Sequence, residues 1–356
     1  YTPFAFVFGR YDGFRSFGRD TVWARADFNT ETPELSWELL NIFYPLEVAN
    51  GEIYLHPCPS DREIGMLTGT PRGNIDAVPI ECTAKKLQAY KVLAFLGYNK
   101  ALAEDFDKLC EYVENGGTLV IGWPHMSTTV LRSDVIKLNH EYIDHEFVRN
   151  FADCIDFAED TLEGLKLNVN KALKLDNADV ISTADSGAPL LVKYGIGKGF
   201  VYLINAKEYP AEKSVEPVYR QVITMLSDSL NAEEKSFIKC DERVQFALYE
   251  QEDNSRHIYV LAVDWYNDPS LTRSAEFVLN GNSYPLEVPF CEPIKIVVSG
   301  DTAAWTENSD AEVLVVSEKE IKVQGYKNTS LCIVHNGVLE KKELDFTENA
   351  VATVKL

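Results

Sequence analysis

Nowhere in the 356 residues does an apolar run approach the roughly 20 residues that a membrane-crossing helix requires. Basic charge is equally scarce: 34 Lys and Arg stand against 55 Asp and Glu, a net charge of −21, and no basic run offsets it. Binding nucleic acid or anionic lipid depends on Lys and Arg displacing counterions, so both partner classes are excluded. A neutral partner, a sugar or another protein surface, fits this charge. Organised cysteine is missing too. The seven cysteines (58, 82, 110, 154, 240, 291 and 332) are odd in number and free of CxxC spacing, which excludes zinc ribbons and small disulfide frameworks. Cys82, Cys110 and Cys332 lie in apolar patterns and read as small buried hydrophobes. Reduced thiols tilt the expected setting toward the cytoplasm. The chain opens YTPFAFVFG, without an initiator Met or a charged leader, and the expectation is an excised piece of a longer polypeptide.

What is present is a composition of 46% hydrophobic and 25% charged residues, enough for a large core and, at this length, for two domains. The chain is organised around residues 90–128. Lys91–Gly97 is a short apolar run ending at glycine. Ala101–Asn115 places Leu102, Phe106, Leu109, Cys110 and Val113 on one helical face with acids in its first turn, and Gly116-Gly117 stops the helix. Thr118–Trp123 is a second apolar run, suited to a strand covered on both faces. The unit predicts a right-handed βαβ crossover with parallel strands.

Upstream, Phe4–Gly9 predicts a first strand, Pro33–Tyr44 a helix ended by Pro45, and Glu52–Leu55 and Asp76–Cys82 short strands. Residues 127–176 predict an irregular insertion with a helix near Ile143–Phe151. Leu190–Ala206 predicts a hairpin turning at Gly195–Gly199, and Ser214 caps a helix through Leu230 with Val218, Val222 and Leu226 inward. The polar break Asn231–Glu234 marks the expected boundary between domains 1–232 and 235–356. Beyond it, eight short alternating runs from Val244–Glu250 to Ala350–Lys355 predict an antiparallel β-sandwich, with Asn280-Gly281 and Asn336-Gly337 as hairpin turns.

The passage NIDAVPIECTAKKLQAYKVLAFLGYNKALAEDFDKLCEYVENGGTLVIGW resembles the trimerisation domain of glycoside hydrolase family 42 β-galactosidases, and GIGKGFVYLINA is similar to the hairpin near the end of such domains. The resemblance covers roughly residues 70–230. It implies a class I glutamine amidotransferase-like, flavodoxin-like α/β fold with a mostly parallel sheet and helices on both faces. The following sandwich resembles the small β-domain that closes those polypeptides. In a working amidotransferase the nucleophilic Cys would sit on the elbow after the strand at 118–123. Here that elbow reads Gly122-Trp123-Pro124-His125, with no thiol or hydroxyl. The resemblance therefore implies a fold kept without its triad, beside a catalytic barrel or neighbouring subunits.

Other candidate sites yield to plainer readings. His56-Pro57-Cys58 lies in a proline-rich loop with no second ligand motif. His140 and His145 are five residues apart, whereas zincin ligands need a spacing of four to face the same way. Gly195–Gly199 matches a phosphate loop only in its glycines. No cofactor fingerprint and no metal set is expected. A glycosidase needs two carboxylates on a rigid scaffold, and no eight-fold βα pattern is present to hold them, so no catalytic residue is assigned. Arg10, Tyr11, Phe14 and Trp23, with Arg15, Phe17, Arg19 and Arg25, form an aromatic–arginine cluster suited to stacking on a sugar or to packing against the barrel or a subunit. Two further readings stay open: a free-standing carbohydrate-active enzyme with its site near Gly97, Tyr98, Gly122, Trp123 and His125, at the carboxyl ends of the α/β strands, and a sugar-binding module.

Overall fold

The computed structural model describes residues 2–8, 69–95, 102–129, 138–142, 144–210, 212–241, 243–262, 272–289, 292–347 and 349–356. Those residues fall into two units, one of residues 2–8 and 75–227, the other of 69–74 and 228–356. The expected helix at 33–44, the strand at 52–55, the aromatic–arginine cluster with Arg10, Tyr11, Phe14 and Trp23, the His56–Cys58 loop, and Gly97 and Tyr98 lie outside the described residues.

In the first unit the strands are β1 (Phe4–Phe8), β3 (Gly73–Pro79), β4 (Val92–Phe95) and β5 (Thr118–Gly122), then β10 (Ala178–Thr183), β11 (Pro189–Ile196) and β12 (Gly199–Ile204). They form a sheet in the order β10-β11-β12-β5-β4-β1-β3. The strands β3, β1, β4, β5 and β12 run parallel, while β11 and β10 close one side as antiparallel strands. The parallel part is flavodoxin-like in order, with the chain stepping from one side of β1 to the other between β3 and β4. This is the α/β architecture expected from the sequence.

Helices α1 (Ala84–Leu87) and α2 (Ala103–Glu114) cover one face. Leu87, Phe106, Leu109, Tyr112 and Val113 are buried there against Val7, Leu93, Leu119, Ile121 and Leu203. Leu119 and Ile121, two apart on β5, share this face because successive side chains leave a strand on opposite faces. The helix itself differs from the expected face. Leu102 is exposed at the N-cap, where its amide donates to the Asp105 carboxylate at 2.9 Å, and Tyr112 takes the inward place instead. Tyr112 reaches across the helix end and donates to the Thr118 carbonyl. Its ring occupies the space that a Cβ at Gly117 would need, at 2.2 Å, while Gly116 takes φ +110°. Both glycines of the predicted stop are thus required, for different reasons.

The insertion between β5 and β10 is more regular than expected. It holds β6 (Ser127–Thr129) paired with β7 (Leu138–Tyr142), the single-turn helix α3 (Glu146–Arg149), and a hairpin of β8 (Phe157–Leu162) and β9 (Leu165–Asn170). The turn Glu163-Gly164 has positive φ at both residues. Acids at strand positions hide this hairpin from a hydrophobic pattern. Helix α4 (Glu216–Glu233) follows β12 and buries Val218, Tyr219, Val222 and Leu226, and it runs through the polar stretch expected to break it.

The second unit is all β. Its principal sheet runs β2 (Gly69–Thr70), β14 (Val244–Glu250), β15 (Arg256–Ala262), β18 (Ile294–Ser299), β19 (Thr302–Thr306), β22 (Thr329–His335), β23 (Val338–Leu344). A second sheet is β13 (Ser236–Lys239), β16 (Thr272–Leu279) and β17 (Asn282–Pro289). A third is β20 (Ala311–Val316), β21 (Glu320–Gly325) and β24 (Ala350–Lys355). One face of the principal sheet packs with β16 and β17 around Phe277, Leu286, Ile296 and Trp305. The other packs with β20 and β21 around Val297, Val313, Ile321, Leu331 and Ile333. The sandwich therefore has a third layer. That explains the unbroken apolar run Leu331–Val334: Cys332 and Val334 enter the first core, Leu331 and Ile333 the second. Asn280-Gly281 and Asn336-Gly337 make the β16–β17 and β22–β23 turns with positive φ at all four residues. Residues 69–74 join this unit because Thr70 pairs with Phe246 and Asn74 exchanges bonds with both backbone groups of Leu248.

Candidate functional site

The parallel strands β4, β5 and β12 all end on one edge of the sheet, so whatever follows them is brought together there. Ile204 is the register partner of Gly122. The next residue on each strand, Asn205 and Trp123, therefore meets its neighbour at the same height. The Trp123 indole N–H donates to Asn205 Oδ1 at 2.7 Å, with both side chains fully buried. Asn205 Nδ2 then donates to the carbonyls of Asn170 and Pro189 at 3.0 and 2.8 Å. One amide thus ties the turn after β5 to β9 and β11.

Gly122-Trp123-Pro124-His125 is a buried turn rather than an open elbow, and Trp123–Met126 is a single 3₁₀ turn. His125 folds back so that Nδ1 accepts the Gly122 amide at 3.1 Å, which places the imidazole proton on Nε2. Its ring lies 5.6 Å from Phe95, at the end of β4, and 6.3 Å from Tyr209, in the segment after β12. Of the five sequence-predicted elbow residues, Gly122, Trp123 and His125 come together at this edge. The placement of Gly97 and Tyr98 is outside the described residues.

Two partners were hidden from the sequence. Tyr219, on α4, presses its hydroxyl against Gly122: a Cβ there would lie 2.3 Å from that oxygen. Tyr219 is fully buried, burial raises its pKa above the usual phenol value, and among the described residues its hydroxyl has no hydrogen-bond partner. Glu212 sits nearby in sequence, accepting the Tyr209 amide; burial raises its carboxyl pKa above the usual range. Neither residue belongs to any motif, and only the packing of α4 over β5 reveals Tyr219. An unpartnered buried hydroxyl destabilises, so Tyr219→Phe should raise stability by about 1 kcal/mol. Urea unfolding measures it, and a loss of stability would mean that the hydroxyl is satisfied.

No thiol stands at this turn. The described cysteines are all free, and burial pushes Cys82, Cys110, Cys240 and Cys332 above the ordinary thiol range. Such thiols are protonated at neutral pH and poor nucleophiles. Among the described residues no group of three His, Cys, Asp or Glu side chains gathers to hold a metal ion, and no helix is long and apolar enough to cross a membrane. Among the described residues the turn packs an indole, a proline and an imidazole, all buried.

No protein family and no curated protein matches the sequence. Solved structures do. The chain is similar to a catalytic mutant of a GH42 beta-galactosidase from G. stearothermophilus, with 15% identity over 100% of this chain and 40% of that one, at a TM-score of 0.42. It is similar to the beta-galactosidase from Rahnella sp. R3, with 12% identity, 84% and 41% coverage and a TM-score of 0.47. The beta-galactosidase from Bacillus circulans sp. alkalophilus gives 13%, 84%, 41% and 0.45. The chain spans about two-fifths of the length of these structures.

Proposed function

We propose that this chain is a non-catalytic C-terminal part of a glycoside hydrolase of the β-galactosidase type, holding a catalytic barrel and building an oligomer. The observation that supports the reading is the filled elbow. Where an amidotransferase-like sheet would carry an activated thiol, this chain buries an indole, a proline and a folded-back imidazole. Nothing there can attack a carbonyl or accept a substrate proton without dismantling the core. The sequence resemblance at residues 70–230 supplies the family and the expectation of a barrel or neighbouring subunits as partner. In this reading Arg10, Tyr11, Phe14 and Trp23 lend stacking faces and donors to a sugar-lined edge or to the barrel surface.

The purified chain, shown to be folded by circular dichroism, should release no aglycone from a panel of aryl glycosides above the buffer rate. Turnover that disappears when one carboxylate is replaced would overturn the reading. Sedimentation separates its two structural halves: a strict monomer at high concentration removes oligomer building and leaves docking to the barrel.

A further inference from the structure

The hairpin of β22 and β23 sets Cys332 directly opposite Lys341. Paired residues of an antiparallel ladder project from the same face, with Cβ atoms roughly 5 Å apart. A third strand adds a carboxylate. β19 pairs with β22 through Trp305 and Cys332, and Glu307 follows as the chain leaves β19. Glu307 Oε1 accepts the Cys332 thiol at 3.8 Å and also the Lys341 ammonium. Thiol, amine and carboxylate thus meet at one oxygen atom. The residue Cys332 is only 3% exposed, while the Lys341 and Glu307 side chains are 57% and 41% exposed. The sulfur lies just beneath an ion pair at the surface.

We propose that Cys332 and Lys341 form a latent covalent staple, closed by hydrogen peroxide as a sulfenamide bond between Sγ and Nζ. In the first step the sulfur attacks the peroxide: an S–O bond forms, the O–O bond breaks, water leaves, and a sulfenic acid results. The sulfur loses two electrons and the peroxide gains them. In the second step the Lys341 ammonium first releases one proton to solvent through the Glu307 carboxylate, and the freed Nζ lone pair attacks that sulfur. The S–N bond forms and the S–O bond breaks. The hydroxyl departs as water with the next proton that the amine gives up through Glu307, so no further oxidant is consumed. Condensation of a sulfenic acid with a nearby nitrogen is established chemistry, and external thiols reverse it. Burial first, then the Glu307 carboxylate, push the Cys332 thiol up to about 12, so the first step is slow and needs long exposure to peroxide. Overoxidation needs a second peroxide to reach a buried sulfur, whereas the Lys341 nitrogen already shares the Glu307 oxygen with it. The staple would bind β23, the edge strand of the principal sheet, to its only ladder partner among the described residues.

The test is a peptide map of the whole chain after hours in dilute peroxide, without reductant. Lysine cleavage after Lys327 puts both residues in one peptide, and a bonded Lys341 blocks cleavage there, extending the peptide to Lys342. Peptide 328–342 should appear lighter by two hydrogens, return to its original mass with excess dithiothreitol, and vanish in Cys332→Ser and Lys341→Gln. Lys341→Gln should instead accumulate a sulfenic acid captured by dimedone. Unmodified Cys332, a sulfinic or sulfonic acid, or a bridge carrying an added oxygen in the unsubstituted chain would each overturn the proposal. That comparison needs no variant to fold.

Discussion

Trp123→Ala should cost about 3–5 kcal/mol of unfolding free energy, the range for deleting a fully buried large aromatic side chain. The indole has no exposed surface and belongs to the core cluster with Phe95, Ile121, Met126 and Phe147. Backbone ties on both sides hold the 3₁₀ turn, so the cavity collapses only partly. The substitution also strands Asn205 Oδ1, which accepts the indole N–H at 2.7 Å. Urea unfolding and a titration with galactosides, run on the same variant, decide what the residue does. A packing role predicts the full loss of stability at unchanged sugar affinity. Weakened sugar binding at an unchanged melting temperature would reveal a live ligand site and overturn the filled-elbow reading.

Asn205→Ala should be as damaging, although it removes few atoms. The asparagine accepts from the indole and donates to two carbonyls, so alanine takes the partner from two buried polar groups and one half-buried carbonyl. Each unsatisfied group costs about 1–3 kcal/mol, and the sum is expected at about 3–5 kcal/mol. The double variant Trp123→Ala/Asn205→Ala should cost clearly less than the two single losses added, because the pair shares one bond. Strict additivity in denaturant titrations would show that the two residues act independently. Leucine at 205, similar in volume, should not rescue, since the missing quantity is hydrogen bonding and not bulk.

The elements most legible in the sequence were those whose cause is local. Lys91–Trp123 reads as strand, helix and strand because its apolar runs and paired glycines are contiguous, and β4, α2 and β5 stand at 92–95, 103–114 and 118–122. Ala350–Lys355 alternates without interruption and forms β24 over those same residues. The hairpin β8–β9 is not legible in the sequence because Glu159, Asp160 and Asn168 break the apolar alternation. Short length masks β13 and β19, the lysines at 341 and 342 mask β23, and the prolines at 285 and 289 mask β17.

Those local signals determined the order of elements, the α/β unit followed by an all-β unit, and the absence of a nucleophile at the turn after β5. What they could not carry is register. Trp123 and Asn205 are 82 residues apart and touch because Gly122 and Ile204 are ladder partners. Tyr219 reaches Gly122 because α4 packs over β5, and Cys332, Lys341 and Glu307 converge because three strands align. Periodicity along a chain reports which face a residue occupies. Only the pairing of distant segments decides which other residue shares that face at the same height, so the tertiary structure alone made this turn a sealed knot of buried hydrogen bonds.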